Sequence, residues 1–207
     1  MVDFRLLLIT DRAVSTPRPL EAFIRTACRA GVRAVQLREK DLDSRSLLET
    51  ALELRDITTG MEARLLINDR VDIALAARAD GIHRPENGLA LEDARRVLGA
   101  AAIIGASTHS VDGAREAADA GADYITFGPV FETPSKMKYG PPKGLDALGE
   151  AAAAAAVPVF ALGGVTPDRT SDCIRAGAAG VAVISAIAGA EDIRRAVGDF
   201  KEALGSL

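Results

Sequence analysis

AGADYITFG, residues 120–128, passes within a few residues from the pattern of a helix end into an apolar run. The same transition recurs in AGVRAVQL (30–37), ARADGIHR (77–84) and AGAAGVAVIS (176–185). A short apolar run bounded by such a break is typical of a buried strand, and helical periodicity fills most of the chain between these runs. The recurrence therefore indicates strand–helix units that follow one another along the chain.

Eight apolar runs can be counted as strands. They are predicted at 5–10, 33–38, 64–68, 81–83, 102–107, 123–128, 157–163 and 180–185. Eight strand–helix units without a break in composition predict a single α/β domain over residues 1–207, folded as a (β/α)8 TIM barrel. The chain is near the short end for that fold, so we expect brief loops.

The helix boundaries carry their own sequence marks. Hydroxyl and carboxylate side chains begin helices as N-caps, and glycines end them in the left-handed conformation. Predicted N-caps are Asp43, Ser110 and Thr166, the last followed by Pro167, and predicted helix-ending glycines are Gly31, Gly121 and Gly177.

Composition excludes several classes of function. A net charge of −4 and a pI near 5.3 argue against nucleic acid or an anionic membrane as the main partner. Apolar runs fall far short of the roughly 20 residues that a membrane span needs, and the start does not read as a signal peptide. Cys28 and Cys173 lie on helical patterns and are expected in the core. We expect a cytoplasmic protein.

Polar residues at the strand ends need explaining, because the active site of such a barrel lies there. Gln36, Arg38 and Lys40 alternate with Leu37 and Glu39 at the end of the second strand, so they share one face. We expect that face to point inward. The alternative is that Arg38 and Lys40 only pair with neighbouring carboxylates on the rim.

The third strand ends in Asn68 and Asp69, an amide beside a carboxylate, which suits Mg²⁺. Helix capping by Asp69 is the alternative. His83 ends the fourth strand, and we expect a rim histidine that hydrogen-bonds backbone. Ser107 ends the fifth strand.

Two glycine- and hydroxyl-bearing segments predict phosphate binding. After the sixth strand, ETPSKMKYGPPKG (132–144) forms a long cationic loop, whose alternative interpretation is a mobile surface loop. The last two strands end in Gly163–Gly164 and in Ile184–Ser185, where barrels commonly hold phosphate on backbone N–H groups.

As an ordered set, these segments resemble the thiamine phosphate synthase family along almost the whole chain. The resembling stretches are ITDR from Ile9, VQLREKD from Val35, LLINDRVDIALA from Leu65, IGASTHS from Ile104, GADYITFGPVFETPSK from Gly121, ALGGVTP from Ala161 and GVAVISAI from Gly180. The resemblance implies a transferase that joins hydroxymethylpyrimidine diphosphate to thiazole phosphate and releases pyrophosphate, assisted by Mg²⁺. Its partners would be small phosphorylated substrates.

The resemblance also assigns roles to residues. It implies that Gln36 contacts the pyrimidine and that Asp69 binds the metal. It implies a pyrophosphate site formed by Arg38, Lys40, Asn68, Ser107 and Lys136. It implies a thiazole phosphate site formed by Thr133, Ser135, Gly164, Ile184 and Ser185.

The loop after the fourth strand departs from the family pattern. Gly88 stands where the family has its second metal-ligating acid, and Asn87 replaces the acid before it. Either Glu86 reaches the metal or the site has one carboxylate fewer. Ser135 stands where the family often has Thr, which keeps the hydroxyl.

Two other functions therefore stay open. One is a thiazole tautomerase, a sister family whose expected histidine is absent here, where Pro129 stands. The other is a non-catalytic barrel that binds thiazole or thiamine phosphate. The sequence also leaves open the preferred form of the thiazole and the oligomeric state, with a homodimer possible.

Overall fold

The computed structural model describes residues 2–133 and 141–205. Its centre is a closed barrel of parallel strands in which each strand pairs with the next along the chain and the first pairs with the last. The strands are β1 Leu6–Ile9, β2 Ala34–Leu37, β3 Arg64–Asn68, β4 Gly81–Arg84, β5 Ile103–Thr108, β6 Tyr124–Phe127, β7 Val159–Leu162 and β8 Gly180–Val183. The predicted (β/α)8 barrel is confirmed.

Helices cover the outside of the barrel. They are α1 Arg12–Ser15, α2 Leu20–Ala30, α3 Ser44–Thr59, α4 Val71–Ala76, α5 Leu91–Leu98, α6 Val111–Asp119, α7 Gly144–Ala154, α8 Pro167–Arg175, α9 Ser185–Ala188 and α10 Ile193–Gly205. Within the described part of the chain, none of them has the length and apolar character to cross a membrane.

Most of the predicted helix marks are confirmed. The Asp43 side chain accepts hydrogen bonds from two backbone N–H groups at the start of α3, and the Ser110 side chain accepts one at the start of α6. Thr166 stands at the N-cap of α8 but makes no capping hydrogen bond. The three predicted helix-ending glycines all have positive φ: Gly31, Gly121 and Gly177.

Two apolar layers hold the barrel together. The larger one lies between sheet and helices and includes the buried Cys28 and Cys173, as predicted. The smaller one fills the barrel interior and consists of Phe4, Leu7, Ile9, Ala34, Leu66, Ile103, Tyr124, Phe160 and Ala182. Polar side chains begin at its upper boundary, toward the carboxyl ends of the strands, so the inner layer forms the floor of the barrel mouth.

Tyr124 is the largest side chain of the inner layer, and Gly105 on the neighbouring strand makes room for it. A Cβ at Gly105 would lie 2.2 Å from Tyr124 Cζ. The phenol ring packs edge-on against Phe4 and Phe160, with centroid distances of 5.6 and 5.5 Å. Its hydroxyl is thereby carried across the interior toward β4.

Candidate functional site

Gln36 points into the barrel, as predicted, and is 1% exposed. Its amide nitrogen donates to Asn68 Oδ1 at 3.0 Å, which joins the ends of β2 and β3. Among the described residues its amide oxygen, Oε1, has no donor. A buried acceptor without a partner costs free energy, so this oxygen is suited to receive an N–H group from a ligand.

Arg38 and Lys40 follow Gln36 at the mouth of the barrel. The rim alternative, in which they pair with adjacent carboxylates, is wrong, because Asp41 pairs with Arg12 instead. Within residues 2–133 and 141–205, neither cation has an ion-pair partner. Two positive charges without an ion pair among the described residues therefore follow Gln36 at the end of β2, half-buried at Arg38 and exposed at Lys40.

Glu39 is a site residue that the sequence did not single out. Its side chain is buried, and both carboxylate oxygens lie 3.2 Å from the backbone nitrogen of Arg12. Burial is the main cause that raises the pKa of Glu39. Beside it, the hydroxyl of Thr10 accepts a hydrogen bond from the backbone N–H of Arg38 at 2.9 Å. Together these contacts fix the segment that carries the two cations.

Asp69 is exposed at the end of β3 in a left-handed conformation, with φ of 65°. The capping alternative is wrong, since the N-cap of α4 is Arg70 rather than Asp69, and it makes no side-chain capping hydrogen bond. The Asp69 backbone N–H donates to the carbonyl of His83 at 3.0 Å, which fixes the residue against β4. Its carboxylate is therefore held at the mouth.

Gly88 faces that carboxylate. A Cβ at position 88 would lie 2.8 Å from Asp69 Oδ1, so the loop after β4 passes directly beside the candidate metal ligand. Glu86 is exposed, and its backbone carbonyl accepts from the guanidinium of Arg84. No group of three His, Cys, Asp or Glu side chains in the described residues could hold a metal. Mg²⁺ is often held by one carboxylate together with substrate phosphates, and Asp69 fits that arrangement.

His83 lies inside the barrel rather than on its rim, so the expectation of a backbone-bonded rim histidine is wrong. It is 2% exposed, and its ring contacts the side chains of Tyr124, Ser107 and Thr126. Burial, with smaller effects from the charges of Arg84 and Arg38, lowers the pKa of His83 to about 3. The imidazole is therefore neutral near pH 7.

Gly163 and Gly164 follow β7 with φ of 95° and 65°, a left-handed conformation that glycine adopts without strain. A Cβ at Gly164 would lie 2.6 Å from the carbonyl of Glu132, so this turn packs against the loop after β6. On the neighbouring strand, Ile184 precedes α9, whose first residue is Ser185. The structure thus brings Gly164, Ile184 and Ser185 to the same end of adjacent strands.

The loop after β6 is anchored at both of its described ends. Lys143 and Gly144 donate backbone hydrogen bonds to the carbonyls of Pro129 and Val130, at 2.8 and 3.0 Å. Thr133, the last described residue before the gap in this loop, is half-buried. The two described ends of the loop therefore lie close together, beyond the carboxyl end of β6. Two predicted site residues, Ser135 and Lys136, lie outside the described residues.

A model of the thiamine monophosphate synthase family matches residues 6–187. A protein of Geobacter sulfurreducens, provisionally named a thiamine-phosphate synthase, is 53% identical over 93% of this chain and 91% of its own length. The thiamine-phosphate synthase of Methanoculleus marisnigri is 42% identical over 97% of this chain and 95% of its own. These matches extend over the strand ends that carry the candidate site.

Two solved structures are similar to this chain over almost its whole length. Thiamine phosphate pyrophosphorylase from Pyrococcus furiosus superposes with a TM-score of 0.89 at 35% identity, covering 98% of this chain and 96% of that one. A 3-hexulose-6-phosphate synthase superposes with a TM-score of 0.71 at 16% identity, covering 98% and 100%. The second likeness shows the fold alone.

Proposed function

This chain belongs to the thiamine monophosphate synthase family, and from that premise we propose that it forms thiamine phosphate. The reaction joins hydroxymethylpyrimidine diphosphate to thiazole phosphate and releases pyrophosphate. The observation that carries the proposal is the position of Gln36. Its buried oxygen has no partner among the described residues, and the two cations that follow it in the chain, Arg38 and Lys40, have no ion pair there. A pyrimidine bearing a diphosphate satisfies both features at once.

The pyrimidine binds at the floor of the site. Gln36 is held by its hydrogen bond to Asn68, so its oxygen is fixed before the substrate arrives. That oxygen accepts an N–H of the pyrimidine, and the apolar inner layer packs beneath the ring. Such preorganisation spares the site the cost of ordering its own groups when the substrate binds.

The departing diphosphate is stabilised by charges that are in place beforehand. The bond between the pyrimidine methylene carbon and the diphosphate oxygen breaks, and its electron pair leaves with the diphosphate. Arg38, Lys40 and the hydroxyl of Ser107 surround the position where that negative charge grows, and Lys136 is assigned to it by the family resemblance. Fixed donors and cations of this kind stabilise a transition state more than a ground state.

Mg²⁺ would be held by Asp69 and by the diphosphate itself, and when bound it neutralises the leaving group. In this proposal Glu86 stays in solvent and Gly88 contributes no ligand, so one protein carboxylate serves the metal. Arg38 and Lys40 then neutralise more of the leaving-group charge than they would in a site with two metal-ligating carboxylates.

The thiazole phosphate occupies the opposite side of the mouth. Its phosphate binds to backbone N–H groups at Gly164 and Ser185, next to Ile184, and the family resemblance assigns Thr133 and Ser135 to contacts with it. The ring nitrogen then supplies its lone pair to the pyrimidine carbon. No proton has to be moved in this step, because the product nitrogen becomes the positively charged thiazolium.

The test is formation of thiamine phosphate by the purified protein when it is given each substrate alone and then both with Mg²⁺. We expect product only with both substrates, and a loss of at least about tenfold in the Arg38→Gln variant. Arg25→Gln, on the exposed face of α2, is the matched control and should keep full activity. Isomerisation of the thiazole without condensation would support a tautomerase instead. Binding of thiazole phosphate without formation of any product would support a non-catalytic barrel that binds thiazole or thiamine phosphate.

A further inference from the structure

A chain of hydrogen bonds runs up through the barrel interior from Tyr124 to Ser107. The Tyr124 hydroxyl lies 2.9 Å from His83 Nδ1, and Ser107 Oγ lies 2.9 Å from His83 Nε2. Thr126 Oγ1 lies 3.2 Å from the same Nε2. In the sheet register, Tyr124 pairs with Gly105 whereas Thr126 pairs with Ser107, one layer nearer the mouth. The imidazole thus spans two layers of the interior.

The hydroxyl partners of His83 and their distances favour one tautomer of the imidazole. Within residues 2–133 and 141–205, the fully buried Tyr124 hydroxyl has Nδ1 as its hydrogen-bond partner. If Nδ1 carried the proton, the Tyr124 hydroxyl proton would have no acceptor, which is costly in an apolar interior. The buried Thr126 hydroxyl would lose Nε2 as an acceptor in the other tautomer, but its contact of 3.2 Å is longer than the 2.9 Å between Tyr124 and Nδ1. The geometry therefore favours Tyr124 as the donor to Nδ1, with the ring proton on Nε2.

That tautomer determines what Ser107 can do. The Nε2–H group then donates to the nearer oxygen, Ser107 Oγ, rather than to Thr126 Oγ1, and engages one lone pair of the serine from below. The hydroxyl proton of Ser107, which is partly exposed, is then directed away from the ring and toward the mouth. The opposite tautomer would instead make Nε2 an acceptor and draw the Ser107 proton down to the histidine.

We propose that Tyr124 and His83 are positioning residues that hold the Ser107 hydroxyl as a hydrogen-bond donor to the departing diphosphate. The inference rests on the proposed function for the identity of the anion. Gly105 leaves space for the Tyr124 hydroxyl in this arrangement, because a Cβ at position 105 would lie only 2.5 Å from the hydroxyl oxygen. The hydrogen-bonded chain from Tyr124 through His83 to Ser107, called the relay below, transfers no proton during the reaction. It acts only by orienting the Ser107 hydroxyl.

The first test reads the tautomer by ¹⁵N NMR of the imidazole side chains, without any turnover. The chain has two histidines, so the His109→Gln variant leaves the His83 signals alone for assignment. We expect a protonated Nε2 and an unprotonated, hydrogen-bonded Nδ1. A protonated Nδ1 in the unsubstituted protein would overturn the proposal.

The second test adds inorganic pyrophosphate with Mg²⁺ and follows the same signals. Donation from Ser107 to the anion strengthens the bond that Nε2–H makes to the serine, so the Nε2 resonance should shift. Ser107→Ala should abolish the shift. An unchanged resonance in the unsubstituted protein, at a pyrophosphate concentration shown by calorimetry to be bound, would count against the relay.

The third test is kinetic and uses Tyr124→Phe, which keeps the ring and removes the donor. We expect kcat for pyrophosphate release to fall about tenfold, the effect of one misdirected hydrogen bond, with little change in KM for thiazole phosphate. Phe160→Leu disturbs the same inner layer without touching the hydrogen bonds, and should leave the His83 tautomer unchanged. An unaltered kcat in a folded Tyr124→Phe protein would overturn the proposal.

These tests separate the relay from the proposed function. If the unsubstituted protein fails to condense the two substrates, the proposed function fails. The tautomer and the pyrophosphate titration still support or overturn the relay in that case, because neither requires turnover.

Discussion

Gly88 and Asp69 are in direct apposition: a Cβ at position 88 would lie 2.8 Å from the Asp69 carboxylate oxygen Oδ1 and equally close to Arg84 Cγ. The position that carries a second acid in the family pattern is therefore still beside the first one. The backbone at position 88 lies beside Asp69, but glycine brings no carboxylate there. This favours a metal site in which one carboxylate and the substrate diphosphate act together.

Gly88→Ala should weaken metal binding without removing any ligand. The added methyl group cannot fit unless Asp69 or Arg84 moves, and displacing the carboxylate by a few tenths of an ångström alters its reach to the metal. We expect the Mg²⁺ concentration for half-maximal pyrophosphate release to rise several-fold, in line with other perturbations next to metal ligands.

The control for that substitution is Gly198→Ala in α10, where a Cβ meets no atom within 4 Å. It should leave the Mg²⁺ dependence unaltered. An unaltered Mg²⁺ dependence in Gly88→Ala as well would show that Asp69 does not bind the metal from the position described.

Glu39→Gln should loosen the segment that carries Arg38 and Lys40. The substitution replaces one of the two carboxylate oxygens that face the Arg12 N–H by an NH2 group, which can only donate, and it removes the charge that pairs with the Arg12 guanidinium. We expect KM for the pyrimidine diphosphate to increase and the free energy of unfolding to fall by about 1–3 kcal/mol. Urea denaturation and steady-state kinetics measure the two effects.

Glu49→Gln, on the exposed face of α3, is the matched control and should leave both quantities unchanged. If Glu39→Gln also leaves KM unchanged, the contact between Glu39 and Arg12 does not position the two cations.

His83 should make the barrel sensitive to acid. Its pKa falls from 6.5 to about 3 on folding, so the unfolded chain takes up the proton first as the pH drops. The stability contributed by the neutral ring is complete above pH 6.5 and is lost progressively between pH 6.5 and about 3. By linkage the loss is about 2 kcal/mol at pH 5.

The measurement is the free energy of unfolding across that pH range for the unsubstituted protein and for His83→Gln. The variant should show a shallower decline, since it cannot take up this proton. His109→Gln keeps His83 and should retain the part of the decline that His83 causes. Parallel curves for the unsubstituted protein and His83→Gln would contradict the burial-driven pKa shift.

Local patterns are sufficient to predict the barrel. Each strand is a short apolar run, and helix boundaries such as Asp43 and Gly31 are set by neighbouring backbone, so the sequence alone reveals them. The inward position of Gln36 is likewise predictable, because a polar residue within an apolar strand needs a polar partner.

Contacts between distant residues are not predictable in this way. The partner of His83 is Tyr124, 41 residues later, and nothing in the local pattern around either residue indicates the pairing. The carboxylate of Glu39 turns back to Arg12, 27 residues earlier, whereas its sequence neighbours suggest rim pairing. The one signal available for His83 is its place at a strand end, which by itself favours a rim position.

The most direct test of the central claim is a Mg²⁺ titration of pyrophosphate release with both substrates present, run beside Asp69→Ala. We expect saturable release with a Mg²⁺ requirement in the unsubstituted protein, and its loss in the variant while thiazole phosphate still binds. Absence of release at every Mg²⁺ concentration, from protein that binds thiazole phosphate, would contradict the synthase assignment.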